Sequence, residues 1–599
     1  MTHPLIGVEI ENLHGFQRAT LGLDRERMVI VGPNNSGKTA ALTLIDWLLN
    51  RATDGEIRGQ TLRPESEAVL LPARDTRNSA RRLNLHVRQT GKAKPAHLRY
   101  RVLTSGGTHG YLRSGAAVRG EKHEAAPEAL KILGRFREEF RFVHVPSFRD
   151  AQSERFSSTL KEAYLSRLEE RALHVGRGRK RRESQQLNRA ISTLRTLTND
   201  LVGPLWNDIK SELPAGLARD GQFEFSAPPE RVLDWLVESL EFRLSTADHD
   251  ALGVGVDQVG AGLQSLLDLA VNASGASEGD VPVLLAVEEP EAFLHPSAQR
   301  TLARRLLADR PNTRVIITTH SPLVVDEASA ADVVVVKHHT FYQPSLATDD
   351  AQAKRSAFMT GSGAEAMFSH GVLLVEGDGD RQFFEALRRR FAAVDEAGCL
   401  DRLHVLAVGS KNYFAPWIRL FDAYGRGEDR PIPWLAVPDA DAATAIIQAF
   451  DETNTPLAKA RASLQSASQA FGNVDLSAWK QHSQAVNTAC RDLSIPLRLL
   501  FADLEQAMLD DASEATWKDL ADAAGVSVNS RGGLMRKLGS KGVDGTQSGN
   551  AVKAPWIRGL IGRQIPLNEL STNVGDVLST WYGFVMDDAA TFVEQHTTA

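Results

Sequence analysis

The chain has 599 residues, of which 42% are hydrophobic and 24% charged, and its formal net charge is −6 at pH 7. This length predicts about three to five domains of roughly 100–200 residues each. No apolar run approaches the roughly 18 residues of a membrane span, and the N-terminus lacks the basic start and long apolar core of a signal peptide. Two cysteines exclude a disulfide framework and are typical of a reducing cytoplasm, where we expect the protein. The net charge alone does not exclude nucleic-acid binding, because local patches matter more than totals.

The first 150 residues predict the start of an α/β unit. Residues 5–31 contain short strand-like runs, and VIVGPNNSGKTAALTLIDWLL, which begins within them, predicts a strand, a glycine loop and a helix. LNLHV (83–87) and HLRYRVL (97–103) alternate apolar and polar residues, as antiparallel strands do. RFVHVPSF (141–148) predicts another strand, which Pro146 ends. Three later apolar runs are typical of parallel strands covered on both faces: VPVLLAVEEP (281–290), RVIITTH (314–320) and ADVVVVK (331–337).

Residues 150–245 predict a helical insert, because apolar residues recur there at helical spacing. Within it, GRGRKRR (176–182) either contacts phosphates or is a solvated loop between two helices. A second α/β unit begins near residue 360, and after residue 451 the chain becomes helical. GSKGVDGTQSGNAVK (539–553) predicts a flexible loop. The strands of this second unit are predicted at GVLLVEG (371–377), HVLAVG (404–409) and WLAVPDAD (434–441).

The glycine loop matches the pattern G-x-x-x-x-G-K-[ST], between a strand and a helix as that phosphate-binding motif requires. Its glycines let backbone N–H groups approach phosphates, and the helix N-terminus adds a favourable dipole. Lys38 is expected to reach the β- and γ-phosphates of ATP, and the Thr39 hydroxyl to bind Mg²⁺. The predicted ATP-binding residues of the loop are Gly32, Asn34, Asn35, Ser36, Gly37, Lys38 and Thr39.

The partner of this loop is predicted at VLLAVEEPEAFLHP, an apolar strand that ends in two acids. Glu288 is expected to lie near Mg²⁺, and Glu289 to orient the attacking water. His320 follows the next buried strand, at IITTHSP, and suits a contact with the γ-phosphate. The alternative for the acids is an exposed strand end, and for the histidine a purely structural role.

The motifs GPNNSGKT, EEPEAFLHP and TTHSP resemble those of ABC-type ATPases of the SMC and RecF kind. VGAGLQSLL (259–267) resembles their signature loop, although it departs from the usual Ser-Gly-Gly order. The resemblance implies that Gly260, Gly262 and Gln264 contact ATP across a dimer, so we expect a homodimer or larger homo-oligomer. The insert stands where such ATPases carry coiled coils or dimerisation arms, and is too short for a long rod.

The second α/β unit resembles a Toprim domain. VLLVEG places Glu376 at the end of a first strand, and WLAVPDAD places Asp439 and Asp441 at the end of a later one. Three carboxylates at strand ends form an oxygen-rich site for Mg²⁺ or Mn²⁺, which can stabilise charge on a phosphoryl group. Asp441 has the alternative of capping a helix. Further candidates are Asp380, Asp503 and Glu505 for a second metal, and Lys553 or Lys541 near the scissile phosphate.

An ABC-type ATPase followed by Toprim on one chain resembles the OLD (overcoming lysogenization defect) family, which includes Gabija-type nucleases. The EEPE motif, with Glu288 in place of the usual Asp, is similar to that family too. The resemblance implies an α/β protein with an ATPase in two lobes (1–149 and 246–345) around the insert, and a Toprim unit with helical additions (360–599). It also implies an ATP-regulated, metal-dependent DNA endonuclease, often in antiphage defence, with a possible accessory defence protein and no membrane partner.

The same domain pattern is compatible with two functions other than a nuclease. The first is a repair-type ATPase scaffold whose Toprim domain is inactive. The second is a primase or topoisomerase, since Toprim domains serve those enzymes too. A topoisomerase needs a tyrosine nucleophile, and none of the seven tyrosines has an obvious setting, while two distant cysteines make no primase-type zinc motif.

Overall fold

The structure, a computed structural model, describes eleven longer segments of the chain and a few isolated positions between them. These segments are residues 4–73, 81–88, 96–103, 108–114, 127–147, 281–344, 362–425, 429–442, 476–501, 503–538 and 555–598. The predicted insert over 150–245 lies almost entirely outside the described residues, and the predicted loop 539–553 lies fully outside them.

The strands of the described segments belong to three larger sheets and one short ladder. In chain order they are β1 (Leu5–Leu13), β2 (Phe16–Gly22), β3 (Arg27–Val31), β4 (Gly59–Thr61), β5 (Arg81–Val87), β6 (Ala96–Leu103), β7 (His109–Ser114), β8 (Arg141–Val145), β9 (Arg243–Leu244), β10 (Val254–Gly255), β11 (Val283–Glu288), β12 (Thr313–Thr319), β13 (Val333–Lys337), β14 (Thr340–Tyr342), β15 (Gly371–Val375), β16 (Leu403–Ala407) and β17 (Trp434–Val437).

The α-helices of the described segments cover the faces of the sheets and make up most of the C-terminal part. In chain order they are α1 (Lys38–Asp46), α2 (Asp54–Arg58), α3 (Pro64–Val69), α4 (Pro127–Glu139), α5 (Pro296–Leu306), α6 (Pro322–Val325), α7 (Ser362–Ala366), α8 (Asp378–Ala392), α9 (Phe414–Tyr424), α10 (Leu476–Asp492), α11 (Leu504–Leu509), α12 (Glu514–Ala523), α13 (Arg531–Leu538), α14 (Pro555–Gln564), α15 (Thr572–Tyr582) and α16 (Ala589–Thr598). None of the helices in these segments combines the length and the apolar character that a membrane crossing requires.

The N-terminal half contains one antiparallel and one mostly parallel sheet. The antiparallel sheet has the order β2-β1-β5-β6-β7-β4, and its β5–β6 pair confirms the alternation seen in the sequence. The second sheet has the order β14-β13-β3-β12-β11-β8, in which β14 alone pairs antiparallel. Its central strands are apolar on both faces, as expected for strands covered from both sides. The three predicted parallel runs are therefore confirmed.

The third sheet is parallel and has the order β16-β15-β17. It confirms the three strands predicted in the second α/β unit. Because all three strands run the same way, their C-terminal ends meet at one edge, which is where ligands bind in open α/β sheets.

Alternate residues along each strand face different cores, as the pleat requires. Ile30 of β3 packs with α1 and the antiparallel sheet, whereas Val29 faces a second core on the other side of the same sheet. That second core also contains Leu374 of β15, while the neighbouring Leu373 faces a third core built with the C-terminal helices. One apolar layer is thus shared by the parallel N-terminal sheet and the third sheet.

Candidate nucleotide and carboxylate sites

The predicted phosphate loop connects β3 to α1. A side chain on Gly32 would collide with the Val336 carbonyl oxygen, and a Cβ on Gly37, whose φ is 104°, would lie 2.5 Å from the ring of Phe16. Glycine is therefore required at both positions. Lys38 Nζ donates hydrogen bonds to the carbonyl oxygens of Gly32 (2.8 Å) and Pro33 (3.0 Å), so its ammonium lies inside the loop.

The other predicted loop residues differ in exposure. Ser36 is buried, whereas Asn34, Asn35 and Thr39 are exposed to solvent at the mouth of the loop. The Thr39 hydroxyl at the start of α1 is thus accessible to a metal ion bound with a nucleotide, as the motif predicts.

Two acids of the EEPE turn act on Lys38. Burial lowers the pKa of Lys38 to about 8, although the charges of Glu289 and Glu291 oppose the shift. Glu289 adopts a positive φ of 43°, and its Oε1 lies 3.7 Å from His320 Nε2. Burial and the Lys38 ammonium lower the pKa of His320, although the charge of Glu289 opposes the shift. The lowered pKa favours the neutral ring. The structure therefore brings Lys38, Glu289 and His320 together at the phosphate loop.

Glu291 has a positioning role that the sequence reasoning missed. Its Oε1 accepts hydrogen bonds from Thr319 Oγ1 (2.6 Å) and from the backbone N–H of His320 (2.8 Å). Burial raises its pKa. The side chain therefore fixes the end of β12, and with it the backbone that carries His320. The signal was present, since the motif contains a third acid.

Glu288, the predicted magnesium ligand, is buried and contacts His144 on the neighbouring strand β8. His144 Nε2 lies 2.9 Å from Glu288 Oε1, and its Nδ1 lies 3.6 Å from Asp46 Oδ2 at the end of α1. Arg51 Nε lies 2.6 Å from the same Asp46 oxygen. Burial disfavours charge on His144, but contacts with Asp46 and Glu288 outweigh it and raise its pKa. Neither His144 nor Asp46 was predicted from the sequence.

A cavity of 440 Å³ opens beside the phosphate loop. Gly32 and His320 line it together with Glu365 and Phe368, which belong to α7 and the turn that follows it. This segment leads directly into β15. The nucleotide site is therefore bordered by the start of the second α/β unit.

The signature-like segment is only partly covered by the described residues. A Cβ on Gly262 would lie 2.6 Å from the carbonyl oxygen of Phe293, so this glycine packs closely against the turn after the EEPE motif. Gly260 and Gln264 lie outside the described residues.

The second site lies at the C-terminal edge of the third sheet. Glu376 directly follows β15, and Asp439 lies two residues after β17. Gly409, two residues after β16, has a φ of 99° and donates its backbone N–H to the Glu376 carbonyl oxygen (2.9 Å). Since β15 and β17 pair in parallel, Glu376 and Asp439 lie at the same edge of the sheet, and their joint role in a metal site stays a prediction. The side chain of Asp441 and the residues Lys541 and Lys553 lie outside the described residues.

Three further acids surround this edge. Together we call these five acids the carboxylate cluster: Glu376, Asp380, Asp439, Asp503 and Glu505. Asp380 accepts a hydrogen bond from the backbone N–H of Gly377 (2.7 Å). Asp503 caps α11 by accepting from the Gln506 N–H (3.0 Å), and Asp439 accepts from the Leu504 N–H (3.2 Å). Backbone N–H groups at helix starts thus stabilise the cluster.

The electrostatics of the cluster show a local excess of negative charge. Its enclosed position raises the pKa of Asp439 well above the usual range, and the charges of Asp380, Glu505, Asp503 and Glu376 add to the shift. Burial likewise raises the pKa of Asp380, and it raises that of Glu505 to about 7.

Arg558 of α14, which the sequence reasoning did not single out, is the counter-charge that the structure places here. Its Nε donates to Glu505 Oε1 (2.7 Å), and its charge also acts on Asp380 and Asp439. The Arg558 side chain packs over Gly379, where a Cβ would collide with it.

Oxygen donors of this kind suit Mg²⁺ or Mn²⁺. As they stand, however, no three acid, histidine or cysteine side chains among the described residues lie within reach of one metal ion. The carboxylates are nevertheless close enough to act on one another's pKa. The donor set therefore fits such an ion chemically.

Known sequence families match three parts of the chain. Residues 5–85 match an AAA ATPase domain, and residues 126–326 match an AAA domain described as a putative AbiEii toxin of a type IV toxin–antitoxin system. Residues 367–441 match the Toprim domain of overcoming lysogenization defect protein-like proteins, a range that contains Glu376 and Asp439.

Two curated relatives cover most of the chain. An OLD nuclease of Thermus scotoductus is 25% identical over 401 residues, which is 62% of this chain and 71% of the relative. The Old nuclease of Escherichia phage P2 is 24% identical over 485 residues, covering 69% of this chain and 76% of the relative. Among solved structures, an SMC head bound to the C-terminal winged-helix domain of ScpA matches 58% of this chain and 99% of its own, at 12% identity and a TM-score of 0.34. The chain thus contains regions that match AAA ATPase domains and a region that matches an OLD-like Toprim domain, and over most of its length it is similar to two OLD nucleases.

Proposed function

We propose that this protein is an ATP-regulated, metal-dependent DNA endonuclease that cuts phosphodiester bonds at the carboxylate cluster. The observation that carries the proposal is the grouping of Glu376, Asp380, Asp439 and Glu505 at strand and helix ends, where burial and the neighbouring acids raise the pKa values of Asp380, Asp439 and Glu505. Such an excess of buried acid is relieved by a divalent cation. The OLD nuclease relatives support the same activity.

The residues divide into two sets of roles. Glu376, Asp439 and Asp441 are the proposed ligands of a first Mg²⁺ or Mn²⁺, and Asp380, Asp503 and Glu505 those of a second. A bound ion supplies stabilisation of charge on the phosphoryl group and a positioned water. Of the chain's own groups, the helix starts at Asp378 and Leu504 direct their positive dipole ends to this edge, and their backbone N–H groups hold Asp380, Asp439 and Asp503 in place.

At the nucleotide site, Lys38 is proposed to bind the ATP phosphates, and Glu289 to orient the attacking water. His320, whose lowered pKa favours the neutral ring, is proposed to contact the γ-phosphate. Glu288 and Thr39 are the proposed Mg²⁺ ligands there.

Regulation by ATP has a short physical route through α7. Glu365 and Phe368 line the nucleotide cavity, and Ser362 Oγ, at the start of α7, lies 3.0 Å from His404 Nε2 on β16 of the third sheet. A triphosphate in the cavity repels the Glu365 carboxylate, so nucleotide binding shifts α7. Since α7 contacts β16 near the start of that strand, such a shift would be passed to the third sheet, whose other end carries Glu376.

The decisive experiment incubates supercoiled plasmid with the full chain and Mg²⁺ or Mn²⁺, with and without ATP. We expect metal-dependent nicking or cutting that Glu376→Ala abolishes. The matched control is Glu396→Ala, an exposed glutamate just beyond the other end of α8, which should cleave like the wild type. Full cleavage by Glu376→Ala overturns the assignment of the site.

Regulation is tested with Glu365→Gln. This variant should hydrolyse ATP normally, while the ratio of its cleavage rates with and without ATP moves towards one. Glu396→Gln should keep the wild-type ratio. If Glu365→Gln keeps the wild-type ratio of cleavage rates with and without ATP, α7 does not transmit the effect of ATP.

A second candidate is an ATPase scaffold with an inactive Toprim domain. It is favoured by the Arg558–Glu505 ion pair, which occupies one acid of the cluster, and by the absence of a ready-made metal site among the described residues. Absence of cleavage by the wild type with any divalent metal, together with normal ATP hydrolysis, would support this scaffold.

We also propose a homodimer or larger homo-oligomer, because a signature loop of this ATPase class acts on the nucleotide of a second copy. Light scattering with and without ATP tests this, and a strict monomer in both conditions contradicts it. A role in antiphage defence, with an accessory defence protein, is tested by phage plaque counts on cells that carry the wild type or Glu376→Ala.

A further inference from the structure

Two exposed aromatic side chains lie at the edge that carries the carboxylate cluster. Tyr413 is 47% and Trp556 is 52% exposed, and they are among the few large hydrophobic side chains with such exposure in the described segments. The others are Leu71, Phe293 and Val394. Large aromatic rings are usually more buried than this, so their position relative to the proposed catalytic edge is informative.

The packing of α14 on α8 fixes the position of Trp556. Arg558 packs over Gly379 in the first turn of α8, whereas further along Arg390 donates to the carbonyl oxygens of Gly562 (3.1 Å) and Ile565 (2.6 Å). The two helices therefore run in the same direction. Since α8 begins directly after Glu376, the first turn of α14, with Trp556, lies at the same edge as the cluster.

Tyr413 reaches that edge from the neighbouring strand. It follows β16 by six residues, and a Cβ on Gly409 would lie 3.9 Å from its ring. Gly409 in turn donates its backbone N–H to the carbonyl oxygen of Glu376. The two aromatic rings thus approach the cluster from two elements, the β16 end and the start of α14.

We propose that Tyr413 and Trp556 stack on unpaired bases of the DNA strand whose phosphate enters the carboxylate cluster, so that the substrate is single-stranded or locally unpaired DNA. In an intact duplex the base faces are covered by their neighbours, and an aromatic side chain has no free face to stack on. An unpaired base presents both faces, and stacking on it is tolerant of sequence.

Beside the acids of the cluster, which need a metal ion to accept a phosphate, this edge also carries groups that attract a DNA backbone. The starts of α8 and α14 direct backbone N–H groups towards the edge, and Lys411 lies in the same turn as Tyr413. Phosphates are attracted to helix starts and to lysine, while the rings hold the bases to one side. The inference rests on the proposed function, because it names the substrate of that same site.

The test measures binding of the full chain to a fluorescent 20-nucleotide oligothymidylate and to a blunt 20-base-pair duplex, in EDTA so that no cleavage occurs. Trp556→Ala and Tyr413→Ala should each weaken binding to the single strand by roughly tenfold. Binding to the duplex should change by less than about twofold. Trp556→Phe, which keeps an aromatic face, should bind the single strand nearly as well as the wild type.

Val394→Ala is the matched control. This residue is 46% exposed, but it lies beyond the opposite end of α8, away from the cluster. It should leave binding to both DNAs unchanged. Each of the substituted side chains is about half exposed, so the variants should fold, and normal ATP hydrolysis reports on this.

Two results overturn the inference: single-strand binding by Trp556→Ala and Tyr413→Ala that equals that of Val394→Ala, or equal losses on both DNAs. The proposed function fails separately, through cleavage by Glu376→Ala. If cleavage depends on Glu376 but single-strand binding does not depend on Tyr413 or Trp556, the proposed function stands and the stacking proposal is wrong.

Discussion

The nucleotide site and the carboxylate cluster are both acidic, but their charges are matched differently. At the nucleotide site each cationic group is matched by acids. The charges of Glu289 and Glu291 act on the Lys38 ammonium. His144 contacts two buried carboxylates, those of Asp46 and Glu288. In the carboxylate cluster, five acids are opposed by Arg558, which is hydrogen-bonded to one of them.

The side chains of the nucleotide site are therefore already ordered by their ion pairs, whereas the carboxylate cluster needs a bound metal cation to balance its charge. Matched buried pairs hold a fixed geometry, and removing one partner leaves an uncompensated charge. Unmatched acids raise one another's pKa values and stay partly protonated until a metal ion binds. Loss of a side chain should therefore affect the first site through turnover and stability, and the second through metal-dependent cleavage and pH.

The largest effect is expected at Glu289. Glu289→Gln keeps the shape of the side chain but removes the carboxylate proposed to orient water, so ATP turnover should fall by about 10²- to 10⁴-fold. Binding of a fluorescent ATP analogue should persist. Phosphate release and analogue titration measure both, with the exposed Glu65→Gln as the control. Hydrolysis at the wild-type rate would disprove the role of Glu289.

Asp439→Ala tests the independence of the two sites. Removing one of several convergent ligands should lower plasmid cleavage by on the order of a hundredfold or more. ATP hydrolysis should stay within about twofold of the wild type, because Asp439 lies on the third sheet, away from the phosphate loop. The exposed Asp401→Ala, before the start of β16, serves as the control. A parallel loss of hydrolysis would show that the sites are not separable.

His144→Ala tests the matched charges of the nucleotide site. It leaves Glu288 and Asp46 buried without the ring between them, which should lower the free energy of unfolding by about 3 kcal/mol. Turnover of ATP should fall as well, because Glu288 loses the contact that orients it. Chemical denaturation of His144→Ala, His144→Gln and the control His109→Ala on β7 measures the effect. Equal stability of all three would mean that the bridge contributes nothing.

The smallest effect concerns the metal-free carboxylate cluster. The pKa of Glu505 is about 7, against 4.5 for a free glutamate, so the folded state holds its proton more tightly than the unfolded state. Its contribution to stability is complete below pH 4.5 and is lost as the pH rises to about 7, with an upper bound of about 3 kcal/mol. Melting curves in EDTA at pH 5 and 8 should show this loss in the wild type.

Glu505→Gln should reduce that pH dependence, since its side chain does not titrate, while Asp380 and Asp439, whose pKa values are also raised, continue to contribute. Added Mg²⁺ should restore wild-type stability at pH 8 by binding the folded state. A wild-type melting temperature that is independent of pH in EDTA would contradict the raised pKa.

Much of the fold was predictable because its determinants are local. A pattern of about ten residues was enough to predict each of three elements: the phosphate loop, the acid strand and the strand that carries Glu376. Parallel strands then bring their C-terminal ends to one edge by geometry alone. His144 and Arg558 were not predictable in this way. His144 meets Glu288 across 144 residues, and Arg558 meets Glu505 across 53, with no local pattern to mark either contact.

The apolar layer shared by β3, β12, β15 and β16 bears on how this protein can be dissected or recombined. A cut between residues 345 and 361 would separate Val29 and Ile317 from Leu374 and Leu406. Each of the two fragments would then expose an apolar surface to water. Such fragments should aggregate rather than behave as independent modules. A fusion of this nuclease unit to a foreign ATPase would therefore need to include the residues of the shared apolar layer. An exchange at the connecting segment alone would not suffice.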